Sequence, residues 1–203
     1  PPSPNLYGGL IYPNARHLIS GEPETMKSWL ALAVAHHVAT DNGAVLYINT
    51  DGAPNWDIAQ RLRAIGLTDQ HITRNITLIT PTDTPTPQDI DQLVKQAPDV
   101  VILDTLDPAA ELIGADTTNS KDTMRTLRTY ITPFFQTGAS ILILDHVVKD
   151  PESRGRYSSG SGRKLGEVEV HIGLKLVGPP LTREGGNTRI HVTIHKDRLA
   201  GIR

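Results

Sequence analysis

The sequence predicts an α/β fold: a mainly parallel sheet flanked by helices, with a C-terminal antiparallel β-hairpin. Three observations carry this. AVLYIN (44–49), VVILD (100–104) and SILILDH (140–146) are continuous apolar runs, the pattern of strands buried on both faces. Stretches with helical periodicity separate them, as parallel strands with crossover helices require. After residue 146 the pattern changes, and VEVHIGLKLV (168–177) and TRIHVTIHK (188–196) flank the turn-rich PPLTREGGN. Two such runs read as a hairpin on the sheet edge.

In chain order, HLIS (17–20) is a short strand and KSWLALAVAHHVA (27–39) a helix. The strand 44–49 follows. NWDIAQRLRAIG (55–66) reads as an amphipathic helix with Trp56, Ala59, Leu62 and Ile65 on one side and Gly66 ending it. ITLIT (76–80) is a strand, residues 81–87 a Thr-Pro loop, and PQDIDQLVKQA (87–97) a helix. The strand 100–104, a helix over 119–131 and the strand 140–146 complete the parallel part. On the last strand Ile190, Val192 and Ile194 alternate with His191 and His195, placing the isoleucines and valine toward the core.

The 203 residues suffice for one domain with a substantial core. The proline-rich opening PPSP predicts that residues 1–13 are a linker or N-terminal extension from a longer polypeptide, with one domain over 14–203. No apolar run approaches the roughly 20 residues of a membrane span, and no membrane partner is expected. Residues 1–9 have no secretion-signal pattern. The absence of cysteine excludes disulfides and thiolate metal sites and suits a cytoplasmic location. A net charge of −2 gives no global attraction to nucleic acid, so any such contact must be local.

The chemistry concentrates in GEPETMKSW (21–29), between a strand and a helix. Gly21, Glu22, Pro23, Glu24, Thr25, Met26, Lys27, Ser28 and Trp29 have the outline of a phosphate-binding loop. Such loops aim backbone N–H groups and a helix N-terminus at phosphate oxygens; the lysine reaches the terminal phosphates and the hydroxyl ligates Mg2+. Met26 stands where glycine is usual. DVVILDTLDP places Asp104 at the carboxyl end of an apolar strand, where ligands bind in open α/β sheets. Asp104 alone also fits the cap of the following turn.

With HLISGEPETMKSWLALAVA, VLYINTDG, QRLRAIG, PDVVILDTLDP and ILILDHVVKDPESRGRYSSGSGRKLGEVE together, the chain resembles RecA-like P-loop ATPases of the RepA, KaiC-like and DnaB-like branch. Within it, the chain is most similar to ATPase modules of actinobacterial and actinophage replication proteins. The resemblance implies a RecA-like core with ATP and Mg2+ as ligands. Lys27 then matches the phosphate lysine, and Ser28 and Asp104 the residues that hold the metal. His146 matches a polar sensor of the γ-phosphate, or is a polar strand end. Asp51 stands where the family places a catalytic glutamate, one methylene shorter; Asp51-Gly52 is equally a turn signal. Lys196 and Arg198 match a Lys-x-Arg finger reaching a neighbouring subunit's nucleotide, or form a solvated strand end. The family assembles with itself as a ring or filament, typically a hexamer.

The segment 149–164 carries Arg154, Arg156, Tyr157, Arg163 and Lys164 among glycines and serines. Arginine and tyrosine grip phosphates and stack on bases. The resemblance implies a loop on single-stranded DNA here, with a second at 113–121; an exposed loop or a subunit interface is the alternative. His36 and His37 diverge on a helix, and His191 and His195 lie too far apart along a strand for one metal ion, so both pairs are expected at the surface. The function expected is a helicase-type motor domain that couples ATP hydrolysis to single-stranded DNA in replication, with a primase-polymerase fused or associated. The alternatives are a nucleotide-binding assembly module with weak hydrolysis, and a KaiC-like or RadA-like ATPase of regulation or recombination.

Overall fold

The computed structural model describes residues 3, 5–146, 163–179 and 187–202, except for the side chains of residues 163 and 164. The parallel strands are β1 (Arg16–Gly21), β2 (Val45–Asn49), β3 (Ile76–Ile79), β4 (Val100–Asp104), β5 (Ser140–His146) and β6 (Val170–Leu176). The seventh, β7 (Ile190–Asp197), runs antiparallel to β6. Together they form one sheet in the order β3-β2-β4-β5-β1-β6-β7. This is the mainly parallel sheet with a C-terminal antiparallel hairpin that the apolar runs and the hairpin pattern predict, and it fits the RecA-like core that the resemblance implies.

Helices α1 (Lys27–Thr40), α2 (Asn55–Ala64) and α3 (Asp69–Asn75) cover one face of the sheet. On the other lie α4 (Pro87–Val94), α5 (Leu106–Leu112), α6 (Ser120–Tyr130) and α7 (Thr132–Phe135). One further turn, α8 (Arg163–Gly166), precedes β6. Every residue of β2 and β4 is buried, because helices close both faces. No helix among the described residues is long and apolar enough to cross a membrane. Helix starts follow capping chemistry. At α4 the Thr86 hydroxyl accepts from the Asp89 amide while the Asp89 carboxylate accepts from the Thr86 amide, with Pro87 at the first helical position.

Four short helices, α3, α5, α7 and α8, and one orientation differ from the expectation. Both α3 and α5 are only seven residues long, too short to show helical periodicity. In α2 the inward stripe is Ile58, Leu62 and the half-buried Ile65. At about 100° per residue these three lie within roughly 60° of one another, whereas Trp56 is about 200° from Ile58. Trp56 is accordingly 63% exposed. The histidine pairs behave as expected in part: His37, His191 and His195 are exposed, and His195 also packs over the buried His171 with ring centroids 4.8 Å apart. A bulge in β7 at this point seats it, and Gly173 beneath leaves no room for a side chain under the His195 ring.

Within the segment 1–13, Ile11 and Tyr12 are fully buried and belong to the core beneath α1. His17 fixes this arrangement. Its Nε2 accepts from the Tyr12 amide at 3.0 Å, so its Nδ1 carries the proton and donates to the Ile141 carbonyl at 3.1 Å. The Tyr12 hydroxyl donates to Asp197 at 2.8 Å.

His17 and His171 are both fully enclosed, and burial holds each imidazole down to about 4. An unfolded histidine takes up its proton near pH 6.5. The folded state therefore binds fewer protons than the unfolded one between pH 6.5 and 4, and stability falls as pH falls through that window. Urea unfolding is expected to show a loss of roughly 3–4 kcal/mol between pH 7 and 5 from the two groups together. A stability unchanged over that interval would contradict the neutral, enclosed state of both rings.

Candidate functional site

The sheet gathers its polar groups at the carboxyl ends of β1, β2, β4 and β5. Gly21 closes β1 and lies in register with His146 at the end of β5. A Cβ on Gly21 would collide with the Thr25 hydroxyl and lie 2.7 Å from the Leu174 carbonyl, so the chain can turn here only without a side chain. The loop is closed by Thr25, whose hydroxyl donates to the Glu22 carbonyl at 2.7 Å. Glu24 and Met26 have φ of 64° and 71°. Met26 is the residue from which α1 starts, in the left-handed region that glycine adopts without penalty.

Lys27 opens α1 and is only 5% exposed. Its ammonium donates to the Gly21 carbonyl at 3.0 Å, the Glu22 carbonyl at 2.8 Å and His146 Nδ1 at 3.3 Å. Burial pulls its pKa down, against the charges of Asp104, Asp51 and Asp145. The His146 imidazole is also held below its ordinary value, first by burial and then by the Lys27 charge.

Asp104 ends β4 and is buried. Its Oδ2 accepts from the Tyr47 hydroxyl at 2.5 Å, and its Oδ1 has no hydrogen-bond partner. Burial pushes this carboxyl up, against the Tyr47 and Ser28 hydroxyls and the Lys27 charge. The Asp104 carbonyl accepts from the amides of Thr50 at 2.6 Å and Asp51 at 3.0 Å, which fastens the loop after β2 to the end of β4. The Asp104–Thr105 peptide is cis, and the Thr105 carbonyl accepts from the Thr50 hydroxyl. Asp51 is exposed, and its charge acts on Lys27, Asp104 and His146 alike.

The structure thus brings Lys27, Ser28, Asp51, Asp104 and His146 together. Trp29 points elsewhere, with its ring 5.8 Å from the Arg61 guanidinium of α2. Lys196 and Arg198 lie on and just after the edge strand β7, which β6 separates from β1. The Lys196 ammonium donates to the carbonyls of Leu165 and Val168 in its own chain, and Arg198 is exposed. Arg154, Arg156 and Tyr157 lie outside the described residues. Arg163 and Lys164 fall in α8, their side chains likewise outside. In the segment 113–121, Gly114, Asp116, Thr118, Asn119 and Lys121 are exposed; only Thr117 is buried, donating to Asp107 at 2.5 Å, and Asn119 caps α6.

Three members of the site carry no sequence motif. Tyr47 sits in an apolar run that reads as packing. Asp107, in the first turn of α5, places a charge near His146. Asp145 is fully buried and acts on Lys27; the one signal for it is a carboxylate inside ILILDH. A cavity of about 360 Å³ on the opposite face, lined by Ile48, Ile79, Pro81, Ile90, Leu93 and Tyr130 among others, contains none of these groups. Among the described residues no three His, Cys, Asp or Glu side chains form a metal cluster by themselves. The donor set nonetheless suits a hard cation that keeps other oxygens in its shell: one hydroxyl, Ser28, and one buried carboxylate oxygen, Asp104 Oδ1, without a protein partner.

Comparison with known proteins bears on the family and the fold. Residues 1–152 match the family model described as AAA domain. No curated protein sequence matches the chain. Among solved structures, a KaiC-like protein from the hyperthermophilic archaeon Pyrococcus horikoshii OT3 superposes with a TM-score of 0.65 at 13% identity, covering 95% of this chain and 82% of that one. At that identity the likeness is one of fold.

A left-handed backbone costs a side-chain-bearing residue about 1 kcal/mol relative to glycine. Met26→Gly is therefore expected to raise the unfolding free energy by about that amount, read from denaturant midpoints at constant m-value. An unchanged or lowered midpoint would show that the Met26 side chain contributes packing that outweighs the strain.

Proposed function

The chain belongs to the AAA domain family, and from that membership we propose that it binds ATP with Mg2+ at the carboxyl edge of its sheet and hydrolyses it as a RecA-like motor domain. The observation that carries the proposal is the enclosed Lys27 ammonium. It rests on the Gly21 and Glu22 carbonyls, faces His146 and lies in the field of Asp104, Asp51 and Asp145. A cation held this deeply next to a helix N-terminus is a receptor for an anion, and the loop amides between Gly21 and Ser28 add neutral donors.

In this reading Ser28 and Asp104 hold Mg2+. When bound, the metal supplies positive charge against the terminal phosphates. Lys27 exchanges its carbonyl contacts for phosphate oxygens. His146, at the neighbouring strand end, accepts from Lys27 through Nδ1 and leaves Nε2 to meet the γ-phosphate. Asp51 orients the attacking water and accepts its proton. Because Asp51 is exposed and one methylene shorter than glutamate, a second reading stands beside the first: a nucleotide-binding assembly module with weak hydrolysis. The chain assembles with itself as a ring or filament, and Arg198 is the group that reaches a neighbouring copy's nucleotide, since Lys196 is engaged within its own chain. The basic segment around Arg154, Arg156, Tyr157, Arg163 and Lys164 takes single-stranded DNA. Replication as a helicase-type motor, beside a primase-polymerase, is the setting that the resemblance to replication ATPases implies; a regulatory or recombination ATPase is the alternative.

Calorimetry is expected to show MgATP binding by the wild type and a loss of about 10²-fold or more in turnover for Lys27→Ala, with thermal unfolding confirming a folded variant. Added single-stranded DNA is expected to raise the turnover of the wild type; indifference to DNA rejects the motor coupling but leaves the nucleotide site intact. Asp51→Asn abolishes hydrolysis if Asp51 is the base. A slow wild type that Asp51→Glu accelerates marks the assembly module instead.

A further inference from the structure

The two oxygens of Asp104 are in different states. Oδ2 is taken by the Tyr47 hydroxyl at 2.5 Å, and Oδ1 is enclosed without a partner. Tyr47 itself is 1% exposed and lies in the middle of β2, one strand over, in register with Ile102. Its ring packs in the apolar core beneath α1, where phenylalanine would fill the same volume. The hydroxyl is thus the only part of the side chain that the core does not account for. Its one hydrogen bond is to Asp104, and a buried hydroxyl needs such a partner.

The arrangement constrains the carboxylate. A carboxyl group at a strand end can rotate about its Cβ–Cγ bond and exchange its oxygens; a donor anchored in a neighbouring strand stops that rotation. Tyr47 and Asp104 project from adjacent strands on the same face, and Asn49 pairs with Asp104 at the end of β2, so the spacing is set by the sheet rather than by a loop. The Ser28 hydroxyl acts on the same carboxyl group from α1.

We propose that Tyr47 is a positioning residue of the nucleotide site: by occupying Oδ2 of Asp104 it fixes the carboxylate plane and reserves Oδ1, with the Ser28 hydroxyl, for the divalent cation that accompanies the nucleotide. This rests on the nucleotide reading above and adds a residue to it. Ligands held by an outer hydrogen bond typically lose 10- to 100-fold in metal affinity when that partner is removed. A residue acting only on packing would weaken nucleotide binding equally with and without metal.

The test measures ATP binding by calorimetry across a Mg2+ series and in EDTA, for wild type, Tyr47→Phe and Tyr130→Phe. Tyr130 is a control because its buried hydroxyl has no partner and lies on the other face of the sheet. Tyr47→Phe is expected to raise the half-saturating Mg2+ concentration about 10-fold, to leave affinity in EDTA within about twofold, and to keep the far-ultraviolet circular dichroism of the wild type. Tyr130→Phe is expected to leave the Mg2+ dependence unchanged. In an Asp104→Asn background, Tyr47→Phe should have no further effect, because the two act as one unit. Equal Mg2+ dependence in wild type and Tyr47→Phe overturns the proposal, as does an equal loss with and without metal. A wild type that binds no nucleotide under either condition overturns the nucleotide reading, and the positioning role with it.

Discussion

Lys27 carries a positive charge at a position where 5% of the residue meets solvent, and the surrounding structure answers that charge. An enclosed ammonium needs acceptors on its three protons and counter-charge nearby. The acceptors are two carbonyls of the loop it helps to close and the ring of His146. The counter-charge comes from three carboxylates on three chain segments, Asp51 after β2, Asp104 on β4 and Asp145 on β5. The group thereby ties the loop conformation to the alignment of the central strands. The left-handed Met26 fits this logic, since the strained turn delivers Lys27 into the cluster.

The chemistry sits where it does because of the sheet. Strands covered on both faces admit polar side chains only at their ends, and all parallel strands end on the same side. The carboxyl edge therefore collects Gly21, Asn49, Asp104 and His146 without any special loop. Asn49 extends the set sideways, donating to the Ala53 carbonyl and the Thr80 hydroxyl, so the turn that presents Asp51 is braced from β3 as well.

Much of this was readable from local pattern. Apolar runs located β2, β4 and β5, the outline of the loop 21–29 marked Lys27, the rule that sites form at strand ends marked Asp104, and the resemblance alone marked Asp51 and His146. What escaped depends on pairing between distant segments. Tyr47 gains its role only because β2 lies beside β4 and Asn49 pairs with Asp104, information absent from VLYIN. Trp56 is assigned to the inward side with Ala59, Leu62 and Ile65 because large apolar residues on a short helix fit more than one stripe; the core instead takes Ile58 with Leu62 and leaves Trp56 exposed. The burial of Tyr12 depends on His17 and on Asp197, which lies 185 positions away along the chain. For Lys196, the sequence gives the charge but not the two carbonyls that capture it.

Tyr12 also joins the two ends of the domain. Its hydroxyl donates to Asp197 and accepts from the Gly201 amide at 2.6 Å, while Asp197 accepts from the amides of Leu199, Ala200 and Ile202. The chain segments before β1 and after β7 are thus knotted at one corner of the molecule. Mechanical tension applied between them would fall on the two hydrogen bonds of the Tyr12 hydroxyl, which alone among these cross the corner. It would not pass through the strands that hold Gly21, Asp104 and His146.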